Sequence, residues 1–243
     1  MSENWLTAIF NKYLAGIANA VLRLFNMTAQ DAAHPWETWL VMELLVVAIL
    51  VVTVALLRSR LSVDNPGKLQ HAFEGAYGFL NTQAEEVGIE HPGKYLNFFA
   101  TLFIFILAMN LIGIIPGFES PTMTVYVAAG LAVCTWVYYH AMGVRELGVW
   151  KYLAQFLGPV WWLAWLMIPI EIIGHFARTL SLTVRLYANM FAGDQITNVF
   201  ITLTYLVAPV VFMALHVFVA FLQAYIFTLL TMIYVSIGTS HEH

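Results

Sequence analysis

Apolar and polar residues segregate along this chain into blocks whose lengths and internal periods differ. Trp5, Ile9, Tyr13, Ile17, Val21 and Leu24 recur every three to four residues, while Asn4, Asn11, Lys12, Asn19 and Arg23 fall mainly on other faces. That period predicts an amphipathic helix within residues 1–30, lying on a membrane or a partner surface. After the turn-like DAAHPWE, residues 39–57 (WLVMELLVVAILVVTVALL) form an apolar block long enough to span a bilayer. Two more spans are predicted at 98–116 and 123–142, joined by the short connection GFESPT. From Leu153 to Ile237 the apolar sequence is almost continuous. A helix over 161–207 would be roughly 70 Å long against a hydrocarbon core of about 30 Å, so it must break into a hairpin plus a span or tilt strongly. Gly158-Pro159 and Pro169 predict a break near its start, and Pro209 predicts the turn into a last helix at 210–237.

Composition sets the class. Of 243 residues, 61% are hydrophobic and 10% are charged, whereas a soluble domain carries about 25% charged residues. The chain therefore reads as an all-α polytopic membrane protein, one integral domain over 1–243, with about five to six membrane helices. Residues 58–97 are polar and hold Arg58, Arg60, Lys68 and Lys94, and Arg145 and Lys151 follow the 123–142 block, while GFESPT has neither Lys nor Arg. The positive-inside rule then places the 58–97 loop and the C-terminus in the cytoplasm and the N-terminus outside. A formal charge of −4 with no basic run excludes a nucleic-acid partner. The single cysteine, Cys134, excludes an intrachain disulfide framework and a thiolate cluster.

Polar residues inside the apolar region carry the chemistry. On a helix Glu171, His175, Arg178, Arg185 and Asn189 stand at offsets 0, 4, 7, 14 and 18, along one stripe. Asp194 and Asn198 make a second patch, and His216 and Gln223, seven apart, share a face of the last helix. Each has a plain structural explanation as well. Glu171 is equally well explained as an edge residue paired with Arg178, His175 as a hydrogen-bonded helix histidine, and Asn189 as a bridge between helices. Arg178 reads as a snorkelling or neutralising cation. Arg185 resists such treatment, because an arginine at a bilayer centre costs about 2.5–3.5 kcal/mol on insertion scales and a guanidinium keeps its charge. A voltage sensor would need arginines at every third position, and only two occur here. Asp194 and His216 are titratable groups of the kind that build proton relays. HExxH, P-loop and GxSxG motifs are absent, so neither a metal nor a cofactor is expected.

A fixed cation flanked on both sides by titratable groups suggests an ion pathway interrupted by a charge barrier. The segment RLYANMFAGD at 185–194 resembles the R-L-x-x-N-x-x-A-G-[acid] element of subunit a of the F-type rotary ATP synthases. NLIGIIPGFESPT at 110–122 is similar to that family's N-L-x-G-x-x-P element, and LQAYIFTLLTMIY at 222–234 to its last helix. The resemblance runs from about Lys94 to the C-terminus. It implies a non-catalytic stator subunit with two long, strongly tilted helices (153–207 and 210–237) beside a ring of proteolipid c subunits. It further implies peripheral-stalk b subunits and, indirectly, the F1 ATPase sector as partners, in a bacterial plasma membrane. Arg185 would be the essential gate facing the ring carboxylate, with Gln223 opposite it. Asp194 and His216 would serve the outer half-channel and Glu171 the inner one, with His175 and Asn189 on the pathway. Gly113 stands where some relatives carry an acid, so the outer channel is expected to use Glu119 or the Asp194–His216 pair. The transported ion is expected to be H+, with Na+ the alternative, since selectivity would reside in the ring. A secondary proton- or cation-coupled transporter is the rival class; it predicts internal repeats and broken half-helices, and neither is evident.

Overall fold

The computed structural model describes residues 4–24, 31, 33–59, 61–62, 67–89, 91–115, 117–155, 161–203 and 207–239. The Gly158-Pro159 break, Arg60 and Pro116 lie outside the described residues. The chain is an all-α polytopic membrane protein. Its helices are α1 (Trp5–Leu24), α2 (Thr38–Ser59), α3 (Lys68–Glu86), α4 (Leu96–Ile112), α5 (Val125–Leu147), α6 (Val149–Gln155), α7 (Ala164–Leu203) and α8 (Val207–Thr239). Three segments, α2, α5 and Val210–Thr239 of α8, are long and apolar enough to cross a membrane, and α4 is a shorter apolar helix. Helices of this kind satisfy their own backbone polar groups, which is what lets them sit in lipid.

Helix α1 is held to the start of α2 through its polar side. Asn11 exchanges two hydrogen bonds with the Trp36 backbone, at 2.9 and 3.2 Å, and the Trp36 indole donates to Leu14 O at 3.0 Å. Trp5, Ile9, Tyr13 and Ile17 are left exposed along the other side, the apolar stripe of an interfacial helix. Around α2, Leu44, Val47, Val51 and Val54 are likewise exposed, as a lipid-facing surface requires.

Helices α4, α5, α7 and α8 form the bundle. Phe99, Phe103, Ile106 and Met109 of α4 and Ala220, Ala224 and Phe227 of α8 are all buried in one core. The two alanines allow close backbone approach, the usual device where no hydrophobic driving force separates helix from lipid. A tighter approach occurs where α5 ends. A Cβ on Gly143 would stand 2.8 Å from Gly238 O and would overlap the Tyr152 ring. Gly143→Val should therefore destabilise the bundle by about 1–3 kcal/mol, since the overpacking exceeds the small gain in helix propensity. A lowered thermal midpoint in detergent checks this; an unchanged one would mean the helices shift freely.

The polar stretch 58–97 differs from a simple loop, because α3 lies within it. Its apolar residues are few, but Gln70, Leu80 and Ala84 recur at helical spacing and are buried. Gly88, at φ 88, ends the helix, with Ile89 N donating to Ala84 O at 3.1 Å. Tyr225 of α8 donates to Gln83 at 2.5 Å and Ser236 to Val87 O at 3.2 Å, tying α3 to the bundle.

Helix α7 is continuous over 40 residues, with Pro169 inside it. Proline in the second turn removes one backbone donor without stopping the helix. At 1.5 Å per residue the rod is about 60 Å long, so it fits a core of about 30 Å only when steeply inclined.

Candidate ion-pathway site

Helices α7 and α8 display three separate polar groups along the bundle. The first lies where α5 and α8 end. Glu171 Oε1 is 3.4 Å from His175 Nε2 and 3.8 Å from Arg178 Nη2. His175 Nδ1 is 2.7 Å from the Tyr139 hydroxyl of α5, and Arg178 lies over the Tyr234 ring at 5.5 Å. The stripe foreseen along α7 thus turns inward onto α5 and α8 at this end.

The second group is central. Arg185 is half-buried, and its only hydrogen bond among the described residues runs from Nη2 to Ser181 Oγ at 3.3 Å, one turn back on its own helix. No carboxylate pairs with it among the described residues. Leu180, Val184 and Phe191 are exposed nearby, with Ser181 and Asn189 the exposed polar residues one turn away on either side, so the cation stands on a largely apolar surface. Asn189 donates to Gln223 Oε1 across the α7–α8 contact at 2.8 Å. Gln223 is 2% exposed, and its Nε2 is buried with no hydrogen-bond partner among the described residues. Such an orphaned donor is costly, and a further group at this face would relieve it.

The third group lies toward the α7–α8 junction. Asp194 Oδ2 accepts from Asn198 at 2.9 Å. His216 packs against Gly193: a Cβ there would come within 3.2 Å of its Nδ1. The glycine thus makes room for the imidazole, whose Nε2 is buried without a partner among the described residues. Asp194 and His216 are brought together here, with Asp194 bonded to Asn198. Glu119 is exposed on the loop before the Pro121–Met123 turn, and no ion pair joins it to these groups among the described residues.

Spacing matters as much as identity. Arg185 lies about 21 Å along the helix from Glu171 and about 14 Å from Asp194. Between the end groups the buried positions of α7 are Leu182, Leu186 and Met190 together with Thr183, whose hydroxyl is tied to Thr179 O of its own helix at 2.9 Å. The two terminal groups are therefore separated by packed, largely apolar side chains, and the cation sits beside that seal.

A family profile described as ATP synthase A chain matches residues 39–236. The chain belongs to the ATP synthase A chain family. It is similar to ATP synthase subunit a of Solibacter usitatus, with 58% identity over 236 residues, 97% of this chain and 100% of that protein. ATP synthase subunit a of Koribacter versatilis is 47% identical over 239 residues, 98% of each chain. ATP synthase subunit a 1 of Syntrophotalea carbinolica is 42% identical over 210 residues, 86% of this chain and 87% of that one.

Asn110, Ser120 and Thr122 form a buried polar clasp. Asn110 donates to Ala220 O at 3.2 Å and accepts from Thr122 at 2.7 Å, and Ser120 donates to Met109 O at 2.8 Å. A Cβ on Gly113 would stand 2.7 Å from Ser120 Cβ and 2.9 Å from its backbone nitrogen, so this loop leaves no room for an acid there. Sequence reasoning missed Tyr139, His140, Tyr152 and Tyr234 around the first group. The available signal was His140, a titratable residue inside a predicted span, which by default deserves a functional question.

Proposed function

We propose that the chain is the membrane-sector stator subunit of a rotary ATP synthase, carrying two offset proton half-channels to a ring of proteolipid c subunits. It takes part in ATP synthesis through ion translocation and is not itself the catalytic subunit. The observation that carries this reading is Arg185: a cation without a carboxylate partner among the described residues, on a largely apolar exposed face, beside a sealed gap between two titratable groups. A lone guanidinium in that setting calls for a counter-charge or water supplied from outside the chain, and a passing ring carboxylate supplies one. A ring carboxyl can cross lipid while neutral; facing Arg185 its ionised form is stabilised, so it gives up its proton there. The attraction must also be escapable. At 4 Å it is ~4 kcal/mol for an effective dielectric of 20, enough to bias ionisation and small enough for rotation to overcome. The Asn189–Gln223 amide pair lies within the same face and offers competing hydrogen bonds.

On this reading Asp194 and His216 serve the outer half-channel and Glu171 and His175 the inner one, with the N-terminus outside and the C-terminus cytoplasmic. Glu119 lies at the outer mouth. Peripheral-stalk b subunits and, through them, the F1 sector complete the assembly, in a bacterial plasma membrane. The ion is H+, in keeping with carboxyl and imidazole groups at both ends. Affinity purification of the tagged chain from native membranes should bring down a proteolipid ring and a soluble ATPase. Recovery of the chain alone, with ion transport on reconstitution, would favour a secondary transporter instead.

Orientation is checked separately. With Cys134 replaced by serine, single cysteines at Lys68 and Glu119, both exposed positions, should react with impermeant thiol reagents from opposite faces. Reaction from one face would overturn the topology.

A further inference from the structure

Behind the Glu171–His175 pair lies a second imidazole that the half-channel assignment leaves unused. His140 of α5 lies beside His175 of α7, with ring centroids 4.7 Å apart and planes inclined by 51°. Its Nδ1 is hydrogen-bonded to the Tyr152 hydroxyl of α6. Its Nε2 is buried and has no hydrogen-bond partner among the described residues. Trp136 and Tyr139 of α5 wall the ring, at centroid distances of 4.5 and 4.4 Å. A half-buried histidine in an apolar span, bonded at one nitrogen and with the other buried and bare, is poorly explained as packing, because the bare nitrogen forgoes a hydrogen bond.

We propose that His140 is a proton-relay residue that links His175 to Tyr152 and so extends the inner half-channel from Glu171 to the α5–α6 end of the bundle. This rests on the stator reading above. A proton reaching His175 from Glu171 passes through one bridging water to the bare Nε2 of His140, while Nδ1 releases its own proton to the Tyr152 oxygen. The tyrosine hydroxyl gives up its hydrogen on the far side, so one proton enters and one leaves and no group ends with altered charge. The imidazole then returns to its starting tautomer by ring reorientation or by reverse hops. Two imidazoliums this close would repel each other, and Arg178, held by Glu171 and Tyr234, adds a fixed charge to the cluster. The pair therefore carries one proton at a time and titrates as a unit. The groups that set this titration are Tyr152 of α6, Glu171, His175 and Arg178 of α7, Tyr139 of α5 and Tyr234 of α8.

The test uses the whole ATP synthase in proteoliposomes, with assembly verified, at fixed outer pH and membrane potential while the inner pH is varied. His140→Ala should slow ATP synthesis about tenfold, below the ~10²–10⁴ of a positioned acid–base group in catalysis because water can bypass one missing link. It should also flatten the dependence on inner pH, and imidazole added on the inner side should restore part of the rate. Tyr152→Phe, which keeps the ring and loses the hydroxyl, should alter the inner-pH profile in the same direction. An assembled His140→Ala complex with wild-type rate and profile would overturn the relay. So would a slow complex whose profile is unchanged and which does not respond to imidazole. If His140→Ala fails to assemble, the Tyr152→Phe profile decides, and an unaltered profile rejects the proposal. Arg185→Ala in the same vesicles separates the two levels: normal coupled activity there removes the stator reading itself, whereas an inactive Arg185→Ala beside a normal His140→Ala removes only the relay.

Discussion

Arg185→Ala is expected to abolish both ATP-driven proton pumping and ATP synthesis in vesicles holding the assembled complex, while allowing a passive proton leak. The guanidinium is the only fixed positive charge described on the exposed central face of α7, and its sole described bond goes to Ser181 at 3.3 Å. Removing it leaves ring carboxyls with no reason to ionise at that point, so protonated sites can pass from one half-channel to the other without driving rotation. The loss of a ~4 kcal/mol bias corresponds to roughly a thousandfold change in the ionisation equilibrium there, which is why the effect should be near total. Lysine should substitute poorly. An ammonium lacks the rigid multi-donor fork and loses its proton more readily in apolar surroundings. Pumping, synthesis and leak are each measurable with pH-sensitive dyes and luciferase. Normal coupling by a fully assembled Arg185→Ala complex would return this residue to a purely structural role.

How much of this was legible in the sequence depended on how strongly each residue's setting was determined by its neighbours. The blocks that became α2, α4 and α5 were visible because lipid demands about 20 apolar residues in a row, and few other settings tolerate that. Helix α3 was not visible. Its buried face is made from Gln70, Leu80 and Ala84, too mixed to stand out from a polar connection. Pro169 was over-read as a break, because a proline near a helix start loses only one backbone bond and α7 continues through it. The polar stripe on α7 could be listed from its offsets, but periodicity does not say which neighbour a stripe meets. Contact with Tyr139 and Tyr234 depends on how α5 and α8 cross α7, a property of three-dimensional packing. Gly193 and Gly113 show the same limit. One leaves room for the His216 ring and the other for Ser120, and neither need can be inferred from a glycine alone.

Asp194→Asn is expected to slow ATP synthesis by about an order of magnitude or more, since a positioned proton-transfer group contributes ~10²–10⁴ and water recovers part of it. The amide keeps the size of the carboxyl and can still bond Asn198, so assembly should survive while proton acceptance is lost. His216 is the natural partner: it is 7% exposed, its Nε2 is bare among the described residues, and Gly193, the neighbour of Asp194, lies against its ring. Two titratable groups in one pocket should share their protonation, so the outer-pH profile of the rate would belong to the pair rather than to either residue. That gives a sharper test than loss of activity. The double variant Asp194→His with His216→Asp restores one acid and one imidazole to the same pocket and should recover part of the rate that either single change removes. Packing sets the limit on that recovery, because a histidine at 194 lacks the space that Gly193 provides opposite 216. Gly193→Val, in turn, should mimic loss of His216 by displacing its ring, with Asp194 untouched. An Asp194→Asn complex that makes ATP at the normal rate across outer pH would remove the pair from the pathway and leave the Gly193–His216 contact as helix packing alone.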